Sequence, residues 1–419
     1  MIRYGDEVAS IARPLRDPGD LDVLLDRAST ARVVLIGEAS HGTHEFYHWR
    51  AELTKRLLAE HDFSFVAVEG DWPDCERVNA AVRAGAAGPR EALLRYDRWP
   101  TWMWANEETA DFTGWLRARN ERRPPDDRVG FHGLDVYSLW ESMREILLWL
   151  QEHDPALVPP ALDAYRCFER FGEDPAAYGW ATSFVPGSCE DRVVEMLSAL
   201  RDRDFGMWQN AEVVAGAESY YRAMVRGGPQ AWNIREHHMD RTLDRLLTRY
   251  GPSSKAVVWA HNTHVGDARG TDQAGLGEVT IGQLARDRFG TDQVVLVGFG
   301  THRGTVVAGA GWGAPMETMG VPRGRSGSLE EVLHRAAPEQ ALFVFPETGP
   351  RPDLLTAELP HRAIGVVYRP ARERLSNYVP TVLGERYDAF LWIGETRALR
   401  PLHTLRVDSH EPETYPSGV

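Results

Sequence analysis

Short apolar runs separated by long amphipathic stretches constrain this chain more than any other feature. The runs are Arg32–Ile36, Phe65–Val68, Val129–His132, Ala256–Ala260, Val294–Val297, Val306–Ala308, Leu342–Phe345, Ile364–Val367 and Phe390–Ile393. Each is short for a buried helix and rich in Val, Ile and Phe, so each is expected to be a buried strand. Helical patterns fill the gaps between the first four, the pattern of parallel strands joined by helices. The expected fold class is α/β, with a central, largely parallel sheet flanked by helices.

The stretch from Leu139 to about Tyr250 breaks the rhythm. It has no convincing strand and carries helical patterns at Trp140–Leu150, Glu190–Arg201, Glu212–Val225 and Asn233–Arg249. We expect residues 139–250 to form a helical, lid-like insertion over the strand carboxyl ends, within one catalytic domain spanning 1–419. Gly/Pro clusters at 227–229 and 311–327 read as loops.

Charge and composition narrow the function classes. The formal net charge is -14 and no Lys/Arg run forms a basic patch, which disfavours nonspecific binding to nucleic acid or anionic membranes. No apolar stretch reaches the roughly 18 residues of a membrane span, and the first 20 residues lack the apolar core of a secretory signal. The expectation is a cytoplasmic protein with a small-molecule partner and neither nucleic acid nor membrane. Cys75, Cys167 and Cys189 are far apart, odd in number and free of CxxC spacing. Neither a disulfide framework nor a cysteine zinc site is expected.

The segments after the first four strands carry the residues suited to chemistry. The first strand leads into Gly37-Glu38-Ala39-Ser40-His41-Gly42, the second into Glu69-Gly70-Asp71-Trp72, the third into Gly133-Leu134-Asp135, and the fourth into His261-Asn262-Thr263-His264. In open α/β sheets ligands bind at the carboxyl ends of the strands. Glu38, His41, Glu69, Asp135, His261 and His264 are therefore expected on one rim. A histidine beside carboxylates suits general base catalysis, since a neighbouring carboxylate raises its basicity and fixes its tautomer. His41 could merely cap the next helix, but the company of Glu38 and Glu69 favours a chemical role. Arg50 falls on the apolar stripe of Phe46, Leu53 and Leu57 in a helix starting near Thr43. A buried guanidinium there requires a carboxylate, which Glu38 or Glu69 can supply.

His261 and His264 fit either of two roles: donors to a developing oxyanion or leaving group, or metal ligands with a carboxylate. HExxH, Walker A and dinucleotide fingerprints are absent, and no G-x-S-x-G elbow occurs. A water activated by histidine is favoured over an attacking serine. Trp99-Pro100-Thr101-Trp102-Met103-Trp104 is dense in aromatics, and Arg235 shares a helix face with Met239 and Leu246. Trp102, Trp104, Asp135 and Arg235 are expected to bind substrate. His237 and His238 read as surface or lid residues. No cofactor and no metal is expected.

At these residues the sequence resembles the erythromycin esterase family, over nearly its whole length. The matching segments are Val34-Leu35-Ile36-Gly37-Glu38-Ala39-Ser40-His41-Gly42-Thr43, Val68-Glu69-Gly70-Asp71, Trp102-Met103-Trp104 and Gly133-Leu134-Asp135-Val136-Tyr137. They continue as Trp232-Asn233-Ile234-Arg235-Glu236, Val258-Trp259-Ala260-His261-Asn262-Thr263-His264, and Asn377-Tyr378-Val379-Pro380 with Tyr387-Asp388-Ala389. The resemblance implies helices around a central sheet, an open cleft, and ester hydrolysis of the kind that opens the macrolactone ring of erythromycin-like antibiotics. It also implies His41 as general base for water, with Glu38, Arg50, Glu69, His261 and His264 in the same site. Two alternatives use the same residues: a metal-dependent hydrolase, and a noncatalytic protein that sequesters a bulky hydrophobic natural product.

Overall fold

Alternation along the strands divides the chain between two faces of a sheet. In the computed structural model, which describes residues 4–403 except 170, 172–174, 185–187 and 202, eleven strands are present among the described residues. They are β1 Arg13–Pro14, β2 Val33–Ile36, β3 Phe65–Asp71, β4 Gly130–Asp135, β5 Ala256–Trp259, β6 Val294–Gly309, β7 Met316–Val321, β8 Gln340–Val344, β9 Glu358–Arg362, β10 Tyr378–Val382 and β11 Ala389–Thr396. The large sheet runs β1-β8-β11-β6-β2-β5-β3-β4, with β7 paired to β6. From β11 to β4 every pairing is parallel, while β8 joins β11, β1 joins β8 and β7 joins β6 antiparallel. This is the mostly parallel, helix-flanked sheet expected from the sequence.

Every residue of β2 and β5 is buried, because helices cover both faces. Val34, Ile36, Val66, Val68, Val257 and Trp259 pack with the helices His44–Glu60, Trp72–Val82 and Glu107–Asn120. Val33, Leu35, Phe65, Ala67, Ala256 and Val258 point the other way, into a core shared with the helices Gln230–Tyr250 and Ile281–Phe289. A one-residue slip would exchange the two faces, so the period-2 pattern fixes the register.

Three sequence expectations need correction. The runs at 294–297 and 306–308 belong to one long strand, β6. Its outer half is paired by β7, which lies inside the expected loop 311–327. β7 carries mostly solvent-facing residues, so no apolar run announces it. The run at 364–367 is not a strand. It is apolar because it crosses the ends of other segments: the Ile364 N–H donates to the Ala39 carbonyl, and the Gly309 N–H donates to the Val366 carbonyl.

The segment 139–250 is helical among its described residues, with helices at Leu139–His153, Val158–Glu169, Pro175–Phe184, Glu190–Leu200, Phe205–Met224 and Gln230–Tyr250. They enclose a core of their own that meets the end of β4 through Val136 and Leu139. Here the cysteine expectation fails, because Cys167 and Cys189 form a disulfide while Cys75 is free and buried. Their 22-residue separation is closed by packing between helices, which brings the Cα atoms to 5.8 Å. His238 is a further correction. It is 2% exposed on the inner face of Gln230–Tyr250, while His237 is exposed. Among the described residues no helix is long and apolar enough to cross a membrane.

Gly42 closes the turn after β2 against β6. Its carbonyl accepts hydrogen bonds from the backbone N–H groups of Val307 and Leu399, each at 3.0 Å. A Cβ on Gly42 would lie 1.9 Å from the Val307 carbonyl oxygen, a backbone atom that cannot step aside. Gly42→Ala is expected to destabilise the protein by about 1–3 kcal/mol through overpacking, read as a lowered urea midpoint.

Candidate active site

Strand order explains why four distant segments meet. β2, β5, β3 and β4 are consecutive neighbours and all parallel, so their carboxyl ends form one edge. That edge carries Glu38 and His41 after β2, His261 and His264 after β5, Glu69 and Asp71 within β3, and Asp135 closing β4.

His41 is held from one side only. Its Nδ1 lies 2.9 Å from Glu38 Oε1, and Glu38 Oε2 lies 3.2 Å from Arg50 Nη1. Glu38 and Arg50 are fully buried. The Arg50 guanidinium sits over the rings of Tyr47, Trp259 and Trp104 at 4.3, 4.8 and 5.6 Å. This is the inward, carboxylate-paired Arg50 expected from the helical stripe, with aromatic faces adding cation–π attraction. With Glu38 ionised, Nδ1 carries the proton and Nε2 keeps its lone pair. Thr43 takes the N-cap position of the helix His44–Glu60, but its hydroxyl bonds Ser40 Oγ in a short contact instead of capping the helix. The Tyr47 hydroxyl reaches the carbonyls of His41 and Met103 at 2.9 and 2.6 Å, tying the turn to the aromatic segment.

Glu69 is the hub. Its Oε1 accepts from Arg235 Nη2 at 2.7 Å and lies 3.2 Å from His264 Nε2 and 4.0 Å from His41 Nε2. Its Oε2 accepts the backbone N–H of His261 at 2.8 Å. Burial works to raise the Glu69 carboxyl, but the charges of His264, of His41 when it is protonated, and of Arg235 hold it well below the usual carboxylate range. Arg235 also forks onto Asp135, with Nε to Oδ1 at 2.9 Å and Nη2 to Oδ2 at 2.6 Å, and stacks against Tyr137 at 4.7 Å.

The two histidines after β5 differ in state. Burial, then the neighbouring His41, drives His261 well below the ordinary imidazole value. Its Nδ1 accepts from the Thr263 N–H at 3.3 Å and faces the Thr263 hydroxyl at 2.8 Å. The neutral ring therefore carries its proton on Nε2, which makes no hydrogen bond of ordinary geometry. That N–H stands beside His41, with ring centroids 4.9 Å apart. His264 is clasped instead: Glu236 contacts Nδ1, Glu69 faces Nε2, and the Trp232 ring stacks on it at 4.6 Å.

A cleft opens above His41 and Glu69. It holds about 770 Å³, including its open mouth, between an aromatic wall of Tyr96, Trp99, Trp104 and Trp312 and a polar wall of Asp71, Asp135, Arg98 and Arg235. Of the expected binding residues, Trp104, Asp135 and Arg235 line it. Trp102 does not; it is 1% exposed and packs edge-on against Trp99. Glu38, Arg50, His261 and His264 lie beneath the lining, buried. Sequence reasoning missed Glu236, although it ends the segment Trp232-Asn233-Ile234-Arg235-Glu236, and Trp312, which sits alone in a glycine-rich loop. Asp71, quoted only as part of a segment, lines the cleft, and burial pushes its carboxyl up to about 6 against the Arg98 charge 2.5 Å from Oδ2. Among the described residues no group of three or more His, Cys, Asp or Glu side chains is arranged to hold a metal ion.

Comparison with known proteins bears on this geometry. The erythromycin esterase family model matches residues 58–396, which takes in Glu69, Asp135, Arg235, His261 and His264. It begins after Glu38, His41 and Arg50, which join the site by contact. Among solved structures the chain is similar to a succinoglycan biosynthesis protein, with a TM-score of 0.78 and 20% identity over 95% of this chain and 98% of that one. It is also similar to a Bacillus cereus protein, with a TM-score of 0.77 and 16% identity over 96% and 99% of the two chains. A third is a histidine-to-asparagine mutant of the erythromycin esterase EreC in its open conformation, with a TM-score of 0.68 and 17% identity over 93% and 97%. At these identities the structural likeness concerns the fold.

Removing Arg50 leaves Glu38 buried without its cation. Arg50→Met is expected to cost about 3–5 kcal/mol of stability in urea unfolding, and adding Glu38→Gln is expected to recover part of that loss. Strict additivity of the two substitutions would disprove the coupling.

Proposed function

The chain belongs to the erythromycin esterase family, and from that premise we propose that it is a hydrolase that opens an ester or lactone with water activated by His41. The observation that carries this reading is the asymmetry of His41. Nδ1 is taken by Glu38, and Nε2 is left with a lone pair at the base of the cleft. Nε2 takes a proton from water as the water oxygen attacks the carbonyl. Arg50 fixes Glu38, which fixes the His41 tautomer.

The attack moves negative charge onto the carbonyl oxygen. Arg235, which lines the cleft, faces it, and the His261 ring, held by Thr263 and by the backbone bond to Glu69, supports His41 from beneath the lining, so no reorganisation is needed as the charge develops. Arg235 and His264 add positive charge nearby, and Glu69 keeps both in place. The proton on His41 then passes to the departing alkoxide. The aromatic wall of Trp99, Trp104 and Trp312 suits a bulky, largely apolar substrate such as a macrolide-like lactone. The names of the similar structures point to different chemistry, erythromycin in one and succinoglycan biosynthesis in another, so the ester itself is found by screening.

His41→Asn tests the reading. The fold is expected to persist while hydrolysis falls roughly 100- to 10,000-fold, the range of one general base. The assay is mass spectrometry on a panel of macrolides and simpler esters, with and without a chelator. A product heavier by one water supports hydrolysis, an unchanged but bound compound supports sequestration, and full activity in His41→Asn overturns the mechanism. Activity lost with the chelator and restored by a metal supports the metal-dependent alternative.

A further inference from the structure

Trp232, Asn233 and Glu236 form a brace that the hydrolytic scheme leaves unused. They open the helix Gln230–Tyr250 and bind it to residues 277–281. The Trp232 indole N–H donates to the Val279 carbonyl at 2.7 Å. Asn233 donates to the Gly277 carbonyl at 2.8 Å and accepts from the Val279 N–H at 3.0 Å. Glu236 Oε2 accepts the Ile281 N–H at 2.7 Å. That leaves Glu236 Oε1, fully buried, in short contact with His264 Nδ1. The Trp232 ring lies nearly parallel to the imidazole, 10° apart.

His264 is faced from every side by charged or titratable groups. Glu236 and Arg235 come from the helix Gln230–Tyr250, and Glu69 from β3. Asp135 of β4 lies behind Arg235, His261 is on its own turn, and His41 lies across Glu69. Two carboxylates in contact oppose one guanidinium. In a site closed to water, that balance favours a positive ring. Both ring protons then have acceptors, Glu236 for Nδ1 and Glu69 for Nε2. A neutral ring protonated on Nδ1 would instead accept from Arg235 Nη1, 3.1 Å from Nε2.

We propose that Glu236 is a positioning residue that holds His264 as an imidazolium, so that a fixed positive charge, and not a second base, stands across Glu69 from His41. The inference rests on the hydrolytic reading of the site, where that charge stabilises the oxyanion without giving up a proton. The titration behaviour agrees. Burial works to lower His264, but Glu236 and Glu69 outweigh it and raise it to about 9. The folded value lies above the ordinary imidazole value of about 6.5. The stabilisation is therefore full below pH about 6.5 and is lost as pH rises through about 9.

Histidine-labelled full-length protein, followed by NMR, tests this without a substrate. The wild-type His264 signal, assigned by its loss in His264→Gln, is expected to stay protonated past pH 8. In Glu236→Gln it is expected to titrate at least one unit lower. The alkaline limb of kcat is expected to move down by the same amount, with KM little changed. The rate at pH 8.5 then falls at least about threefold while the rate at pH 6 is nearly kept, since pH 8.5 lies between the wild-type value of about 9 and one a unit lower. Glu236→Asp should restore part of the alkaline limb. A brace that only supports the fold would lower the rate equally at every pH. A wild-type His264 that titrates near 6.5, or a titration unmoved by Glu236→Gln, overturns the proposal, and the wild-type arm decides it even if the variant does not fold. A shifted His264 with an unmoved pH–rate limb upholds the positioning and overturns the part given to its charge, whereas no hydrolysis of any compound overturns the hydrolytic reading and leaves the NMR result standing.

Discussion

The Glu69 carboxylate is the interaction on which the rest of the site depends. It lies inside the protein at the end of β3, where an ionised group without partners would cost several kcal/mol. Its two oxygens meet Arg235, His264 and the His261 backbone, with His41 just beyond contact. Those groups come from the insertion, from the turn after β5 and from the turn after β2. One buried charge thus requires three separate segments to arrive together, and only the native strand order brings them there.

The same logic runs outward as an alternating series. Arg50 faces Glu38, Glu38 faces His41, His41 approaches Glu69, Glu69 faces Arg235, and Arg235 faces Asp135. Apart from His41, which is neutral when it acts as base, each member is a neighbour's counter-charge, so removing one leaves the next unpaired. Such a network adds little net stability compared with an apolar core. What it supplies is fixed orientation: dipoles and charges are in place before any reaction begins, and no solvent must reorganise.

The legible part of the fold was the part buried on both faces. β2, β3 and β5 carry unbroken apolar runs of four, and β4 a run broken by His132, so they stand out, and the polar residues at their ends stand out by contrast. Arg50 was legible because a charge on an apolar stripe is an anomaly. β7, β9 and β10 were hidden because they are half-exposed and carry glycine or proline, leaving no period to read. The Cys167–Cys189 bond was hidden because it depends on how helices of the insertion pack, which spacing along the chain does not encode. Trp102 misled for the opposite reason. Its aromatic segment does border the cleft, but a helical turn at Thr101–Met103 sends Trp104 to the opening and Trp102 inward.

The insertion therefore does more than cover the sheet. Its last helix, Gln230–Tyr250, supplies Arg235 and Glu236, adjacent residues that reach opposite nitrogens of the same imidazole. Without that helix, Glu69 and Asp135 would lose the cation they share and His264 would lose a carboxylate. The remaining helices of the insertion pack mainly on one another and on Val136, buried just after β4. Among the described residues the insertion reaches the cleft wall through Arg235, while the aromatic wall comes from the segment 96–104 and from Trp312, so the residues that shape the cleft and the helix that fixes its charges lie on different parts of the chain.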